Sequence, residues 1–251
     1  MYSLSSLLKT ALLCLFLLAL WQGTILIWDL PHYLLPTPSD VFQQLISHHQ
    51  LLWQHTMVTL LEIFLGLFLG FVFGLFSAIL LSISNRIATF LLPLLLISQA
   101  IPVFAIAPLL VLWLGYGLAS KIAMTILIIY FPVTANCYDG LRNTPRIWLE
   151  LAQTMQITRW QMLFRVRLPA ALPALASGLR IAVSIAPIGA VIGEWVGANQ
   201  GLGYLMLHAN ARMQVDLMFS ALFLLMLITL LLFFITDKLL RRALPWVTQL
   251  R

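Results

Sequence analysis

The run from Met57 to Ser82, MVTLLEIFLGLFLGFVFGLFSAILLS, carries one charged residue, Glu62, in 26 positions. As a helix it would rise about 39 Å, enough to cross the roughly 30 Å hydrocarbon layer of a bilayer. A helix apolar on every face belongs in lipid or at the centre of a very large core. Five further runs have the same character, at about Leu7–Trp28, Ala88–Leu114, Lys121–Tyr138, Leu172–Val196 and Leu217–Asp237. They predict an all-α integral membrane protein with about six transmembrane helices. The chain is 62% hydrophobic and 9% charged, against about 25% charged in soluble domains. With 251 residues it accommodates one membrane domain, residues 1–251, and little else. No small-residue cleavage site follows Trp28, so Met1–Trp28 reads as a first span and not as a removable leader.

The net charge of +6 does not point to nucleic acid, because the basic residues fall in loops between the apolar runs. With the N-terminus in the cytoplasm, the inner set is Lys9, Arg86, Arg142, Arg146, Arg159, Arg165, Arg167, Lys238, Arg241, Arg242 and Arg251, 11 of the 14 lysines and arginines. Lys121 and Arg212 fall outside, and Arg180 lies within a span. The positive-inside rule selects this topology, with both termini cytoplasmic.

Residues 139–170 form the longest loop on the inner side. Their core, ELAQTMQITRWQMLFRVRLP (150–169), mixes three arginines with Trp160, Leu163 and Phe164. Each arginine at a bilayer centre costs roughly 2.5–3.5 kcal/mol, so this stretch does not span. Trp148, Leu151, Ala152 and Met155 share one helical stripe. Ile157, Trp160, Leu163 and Phe164 share another, out of phase with the first. The change of phase at Gln156 predicts two short helices with a corner between them. Glu150 is expected at the head of this helix pair, where an N-terminal dipole favours a carboxylate.

On the outer side, Ser39 or Asp40 is placed to cap a helix. Phe42, Leu45, Ile46, His49, Leu52 and Trp53 then recur at helical spacing, predicting one amphipathic surface helix with Trp53 at the headgroups. His32, His48, His49 and His55 lack the cysteine or acidic partners of a metal site and read as solvated. Cys14 and Cys137 read as buried free thiols. Gly66, Gly70 and Gly74 stand four apart, the spacing that lets helix backbones approach closely. QAIPVFAIAP (99–108) is expected to bend and pack inside the protein, because proline frees backbone groups that lipid cannot satisfy.

Three ionisable residues, Glu62, Arg180 and Glu194, stand in apolar runs. Such residues mark a translocation path or gate, or else paired structural charges. Both readings stand for Glu62 and Arg180. Glu194, near the outer end of its span, reads more simply as a headgroup residue. No G-x-x-x-x-G-K-[ST], H-E-x-x-H or G-x-S-x-G occurs, so neither a phosphate-binding loop nor an intramembrane enzyme finds support. GANQGLG (197–203) lacks the lysine and reads as a tight outer loop.

The 150–169 segment resembles the E-A-A-x(3)-G-x(9)-I-x-L-P loop in permease subunits of bacterial ABC importers. Glu150, Ala152, Leu168 and Pro169 match at the right spacing, while Leu151, Gln156 and Val166 replace an alanine, the glycine and the isoleucine. LLPTPSDVFQQL (34–45) and LPAALPALASGLRIAVSIAPIGAVIGEWVGANQGLGYLM (168–206) are similar to the nitrate/sulfonate/taurine branch of these type I permeases. Residues 185–219 look closest to permeases of thiamine-precursor systems, which import hydroxymethylpyrimidine or related aminopyrimidines. The resemblance implies that Glu150, Ala152, Gln156, Leu168 and Pro169 belong to coupling helices docked on a separate ATP-binding subunit. It implies no cofactor in this chain, with ATP held by that partner. It also implies a pair of permease chains, copies of one another, and an extracytoplasmic solute-binding protein. The alternative is a proton-coupled secondary transporter using Glu62, Arg180 and Glu194, working as a single chain without ATP.

Overall fold

The computed structural model describes residues 4–247, and every regular element among them is helical. The elements are α1 (Leu4–Trp28), α2 (Pro38–Ser47), α3 (His49–Ile83), α4 (Asn85–Ala100), α5 (Val103–Leu114), α6 (Leu118–Arg142), α7 (Arg146–Thr154) and α8 (Arg159–Met162). A π-helical turn (Leu163–Arg167) leads into α9 (Leu168–Gly197), followed by α10 (Leu202–Ala211) and α11 (Val215–Ala243). Four continuous helical stretches are long and apolar enough to cross a membrane: α3, α6, Arg159–Gly197 and α11. The α4–α5 pair makes a fifth if its halves are taken together, and α1 contributes a shorter apolar stretch, Leu15–Trp28.

The core is a three-helix layer with α6 in the middle. On one side α3 presents Gly66, Gly70 and Gly74, all buried. A Cβ on Gly70 would stand 2.5 Å from Ile129 Cδ1, and one on Gly74 would stand 2.7 Å from Val133 Cγ1. The glycine stripe therefore rests on α6 and not on lipid. On the other side α9 offers Ala171, Gly178, Ala182, Ala186, Gly189 and Gly193. A Cβ on Gly178 would meet the Pro132 carbonyl at 2.7 Å. Small residues on both flanks bring the backbones close, and dispersion and interhelical hydrogen bonds then hold helices for which lipid offers no hydrophobic drive. Many large apolar side chains point outward, as Phe90 (77% exposed) and Leu112 (76%) do.

Four expectations are corrected. The run 88–114 is not one helix: α4 and α5 meet at 100°. Pro102 has no N–H to continue the ladder, and Ile101 before it is extended (φ −86°, ψ 120°). The bend at 99–108 is as expected, but its packing is not, since Gln99, Ala100, Ile101 and Pro102 are exposed on this chain. The outer amphipathic helix is divided at His48, so Leu52 and Trp53 belong to α3. Its cap is Thr37, which accepts from the Asp40 amide, with Pro38 at the first position and the Asp40 carboxylate returning to the Thr37 amide.

Candidate functional site

The segment between α6 and α9 is organised as two short helices. α7 starts after Pro145 and ends in a Schellman motif. The Gln156 amide donates to the Gln153 carbonyl at 2.9 Å, and the Ile157 amide to that of Ala152 at 3.5 Å. That motif places residue 156 in the left-handed region, and Gln156 adopts φ +52°. The corner thus falls on the glutamine that stands where the motif has glycine. α8 opens with a second capping box: the Gln161 amide donates to Thr158 Oγ1 at 3.3 Å, and the Thr158 amide to Gln161 Oε1 at 2.9 Å.

Of the two stripes, only Ala152 and Leu163 are buried. Trp148, Leu151, Met155, Trp160 and Phe164 are exposed, with the Trp160 and Phe164 rings stacked at 6.0 Å. Glu150 is also exposed. It lies in the second turn of α7, not at its head, because the helix begins at Arg146. The dipole argument for it falls away, since the effect fades beyond the first turn. Leu168 is half-buried and Pro169 exposed. An apolar groove of about 560 Å³, lined by Trp148, Leu151, Met155, Arg165, Pro169 and Trp246, runs beside the segment.

Arg167 turns away from this surface. Its Nε and Nη2 donate to the Leu141 carbonyl at 3.3 and 3.1 Å, and Nη1 donates to the Ser82 carbonyl at 3.3 Å. Both acceptors lie in the last turns of their helices, α6 and α3. Carbonyls there lack intrahelical donors and carry the negative end of the helix dipole.

At the opposite end of the core, α3, α6 and α9 bring charges together. Lys121 Nζ lies 2.7 Å from Glu62 Oε1, with side-chain exposures of 7% and 0%. Glu194 is 1% exposed. Its carboxylate accepts from Thr59 Oγ1 at 2.6 Å, from the Gly203 amide, and from the Tyr204 amide at 3.4 Å. The Leu202 amide donates to Thr59 Oγ1 at 2.8 Å, and the Gly201 amide to His55 Nδ1 at 2.9 Å. The four amides that open α10, which no helix can satisfy internally, thus all find acceptors on α3 and α9. Gly201 sits at φ +120° against the Glu194 carboxylate, a place with no room for a side chain.

The three ionisable residues singled out in the sequence do not form one group. Glu62 and Glu194 are near enough to interact, while Arg180 pairs with Asp237 of α11 at 2.7 Å. Asp237 is held in turn by Arg241 at 2.7 Å. Glu194 is no headgroup residue, because the α10 amides and Thr59 enclose it. Lys121, assigned above to the outer aqueous side, is buried; its place at the start of an apolar run gave no hint of a partner 59 residues upstream. His55 is likewise buried and not solvated. Its signal was the i, i+4 step to Thr59 and the further step of three to Glu62, three polar residues on one stripe of an apolar helix. Cys137 is a buried free thiol; the Cys14 side chain lies outside the described residues. Among the described residues no group of three or more His, Cys, Asp or Glu side chains could hold a metal.

A helical membrane bundle with an exposed helical segment between two spans fits the permease class of transport proteins. Residues 70–248 match the family described as "Binding-protein-dependent transport system inner membrane component". The chain belongs to that family and is the permease subunit of an ABC importer, a multi-pass inner-membrane protein. It is 67% identical to a probable ABC transporter permease of Haemophilus influenzae, over 94% of this chain and 96% of that one. It is 40% identical to the formylaminopyrimidine transport permease ThiX of Halalkalibacterium halodurans, over 95% and 96%. Sulfonate and taurine transport permeases are also among its relatives. The fold matches a chain of the MetNI methionine ABC transporter with a TM-score of 0.68 at 24% identity, over 78% of this chain and 97% of that one. The proton-coupled carrier reading finds no support in this kinship.

Proposed function

We propose that this permease carries an aminopyrimidine precursor of thiamine, and that residues 139–170 couple it to a separate ATP-binding subunit. The substrate class is supported by the likeness to a permease named for formylaminopyrimidine. The coupling role rests on one observation: Ile147, Trp148, Leu151, Met155, Trp160 and Phe164 are exposed on two short helices that also carry Glu150, Arg159 and Arg165. Aromatic anchors among charges are the make-up of a protein interface. Glu150 is the polar contact, Ala152 seats α7, Gln156 sets the corner, and Leu168 and Pro169 join the segment to α9. ATP is bound by the partner, a solute-binding protein delivers the cargo from the opposite face, and two copies of this chain enclose the path. Residues 1–251 act as one transmembrane domain with both termini in the cytoplasm. Glu62 and Glu194 at one end, and Arg180 at the other, are assigned to the gate of the path as ionisable groups held within apolar helices.

The test is uptake of formylaminopyrimidine into vesicles holding the permease and its ATPase, with and without ATP and the binding protein. Uptake that needs all components supports the reading. Uptake without ATP, or uptake of riboflavin or taurine in place of the pyrimidine, overturns its coupling or its substrate half respectively. In intact cells, Arg146→Cys should resist an impermeant thiol reagent; ready labelling reverses the orientation.

A further inference from the structure

We infer that Arg167 is the positioning residue that makes α3 follow the 146–167 segment when that segment is displaced. The inference rests on the coupling role proposed above. α6 is joined to the segment through the chain at 143–145, and α9 follows it directly, so both must move with it. α3 has no such covalent connection: it rests on α6 through the glycine stripe and the Lys121–Glu62 pair, both set back from its last turn. Its last turn faces the segment across a cleft of about 510 Å³, with Ser82 and Ile83 on one side and Gln153, Ile157 and Trp160 on the other. Among the described residues, the bond from Arg167 Nη1 to the Ser82 carbonyl is the one hydrogen bond that ties the segment to α3.

The geometry suits a mechanical link. The guanidinium is planar and offers five N–H groups in a fixed fork. Two grip one carbonyl at the end of α6 and a third grips one at the end of α3. The cation also sits where two negative helix ends converge, so both helices attract the same group. The residue that does this lies in the π-helical turn. Pro169 cannot donate to the Arg165 carbonyl four residues back, and the Leu168 amide reaches the Leu163 carbonyl instead. The resulting extra residue in the turn re-aims the side chains around it relative to a continuous α-helix. Arg167 thus points to the ends of α3 and α6, while Arg165 lines the apolar groove beside the segment.

The test uses the full complex of permease and ATPase in lipid discs, in a chain carrying Cys14→Ala, with nitroxide pairs read across the two permease copies. One pair sits on the segment at Arg146→Cys, the other at the end of α3 at Ile83→Cys. The probe is ATP with vanadate. In the parent, both distances should shift on adding nucleotide. With Arg167→Met, the segment pair should still shift and the α3 pair should shift clearly less, by what its packing on α6 alone transmits. With Arg167→Lys, which keeps the cation but loses the fork, the α3 shift should be partial. An α3 shift in Arg167→Met equal to the parent's overturns the inference. If Arg167→Met does not assemble, a full α3 shift in Arg167→Lys overturns it and a reduced one supports it. A parent whose segment pair does not respond to nucleotide overturns the coupling role itself, and this inference with it.

Discussion

Lys121 and Glu62 meet at 2.7 Å with neither side chain open to solvent. The pair bridges α6 and α3 near the start of α6, above the glycine stripe on which the two helices already rest. Removing one partner leaves a buried charge without compensation, a change worth roughly 3–5 kcal/mol. Lys121→Met should therefore lower the thermal midpoint of the purified permease clearly, and Glu62→Leu in the same chain should restore most of the loss. Unfolding followed in detergent checks this. A single variant as stable as the parent would show that the pair contributes nothing.

Glu194 is the acceptor for two α10 amides and for Thr59. A buried donor left without its acceptor costs roughly 1–3 kcal/mol. Glu194→Gln keeps one acceptor oxygen but turns donors toward donors, and should loosen the start of α10 by about 2 kcal/mol. Amide exchange at Gly201–Tyr204 should rise while exchange within α6 stays unchanged. Equal protection in both chains would remove this account of the loop.

Gly70→Leu should disturb the α3–α6 contact, because a Cβ alone would reach within 2.5–2.6 Å of the Ile129 side chain. Overpacking of this kind costs typically 1–3 kcal/mol. Ile129→Ala in the same chain should recover part of it, since it clears the atoms in conflict. Yield and melting of the two variants give the answer, and no recovery would mean that the clash lies elsewhere.

Gln156 holds a left-handed conformation that costs an L-residue roughly 1–2 kcal/mol. Glycine avoids that cost but loses roughly 0.5–1 kcal/mol in chain entropy. Gln156→Gly should therefore stabilise the corner by about 1 kcal/mol, the difference between the two. Gln156→Val should weaken it, since a β-branched residue fits that region worst. Exchange of the Ile157 amide, which closes the Schellman motif, is the local readout. Faster exchange in the glycine variant would contradict the prediction.

The helices were legible in the sequence wherever a pattern repeats over many residues. The glycine stripe of α3, the phase change at Gln156 and the apolar runs other than 88–114 persist because local geometry dictates them. What the sequence did not reveal depends on partners far along the chain. Lys121 looks like a loop lysine until Glu62 is set beside it. His55 looks solvated until the Gly201 amide arrives from 146 residues away. Arg180 and Glu194 look alike as lone charges in apolar runs, yet they serve different helix pairs. The bend at Ile101–Pro102 was signalled by its proline, but neither its angle nor its exposure was, because both depend on what α4 and α5 rest against.

The acceptors that open α10 also impose an order of events during synthesis. His55 and Thr59 are made early and Glu194 late, and the amides they serve follow only a few residues after Glu194. Until α9 has entered the membrane and settled beside α3, the start of α10 has nothing to hold it, and a ten-residue helix is too short to persist alone. Closing contacts across 135 to 146 residues is entropically slow. The first turn of α10 should therefore be among the last parts of the chain to form, and its protection from exchange would serve as a clock for the docking of α9 against α3.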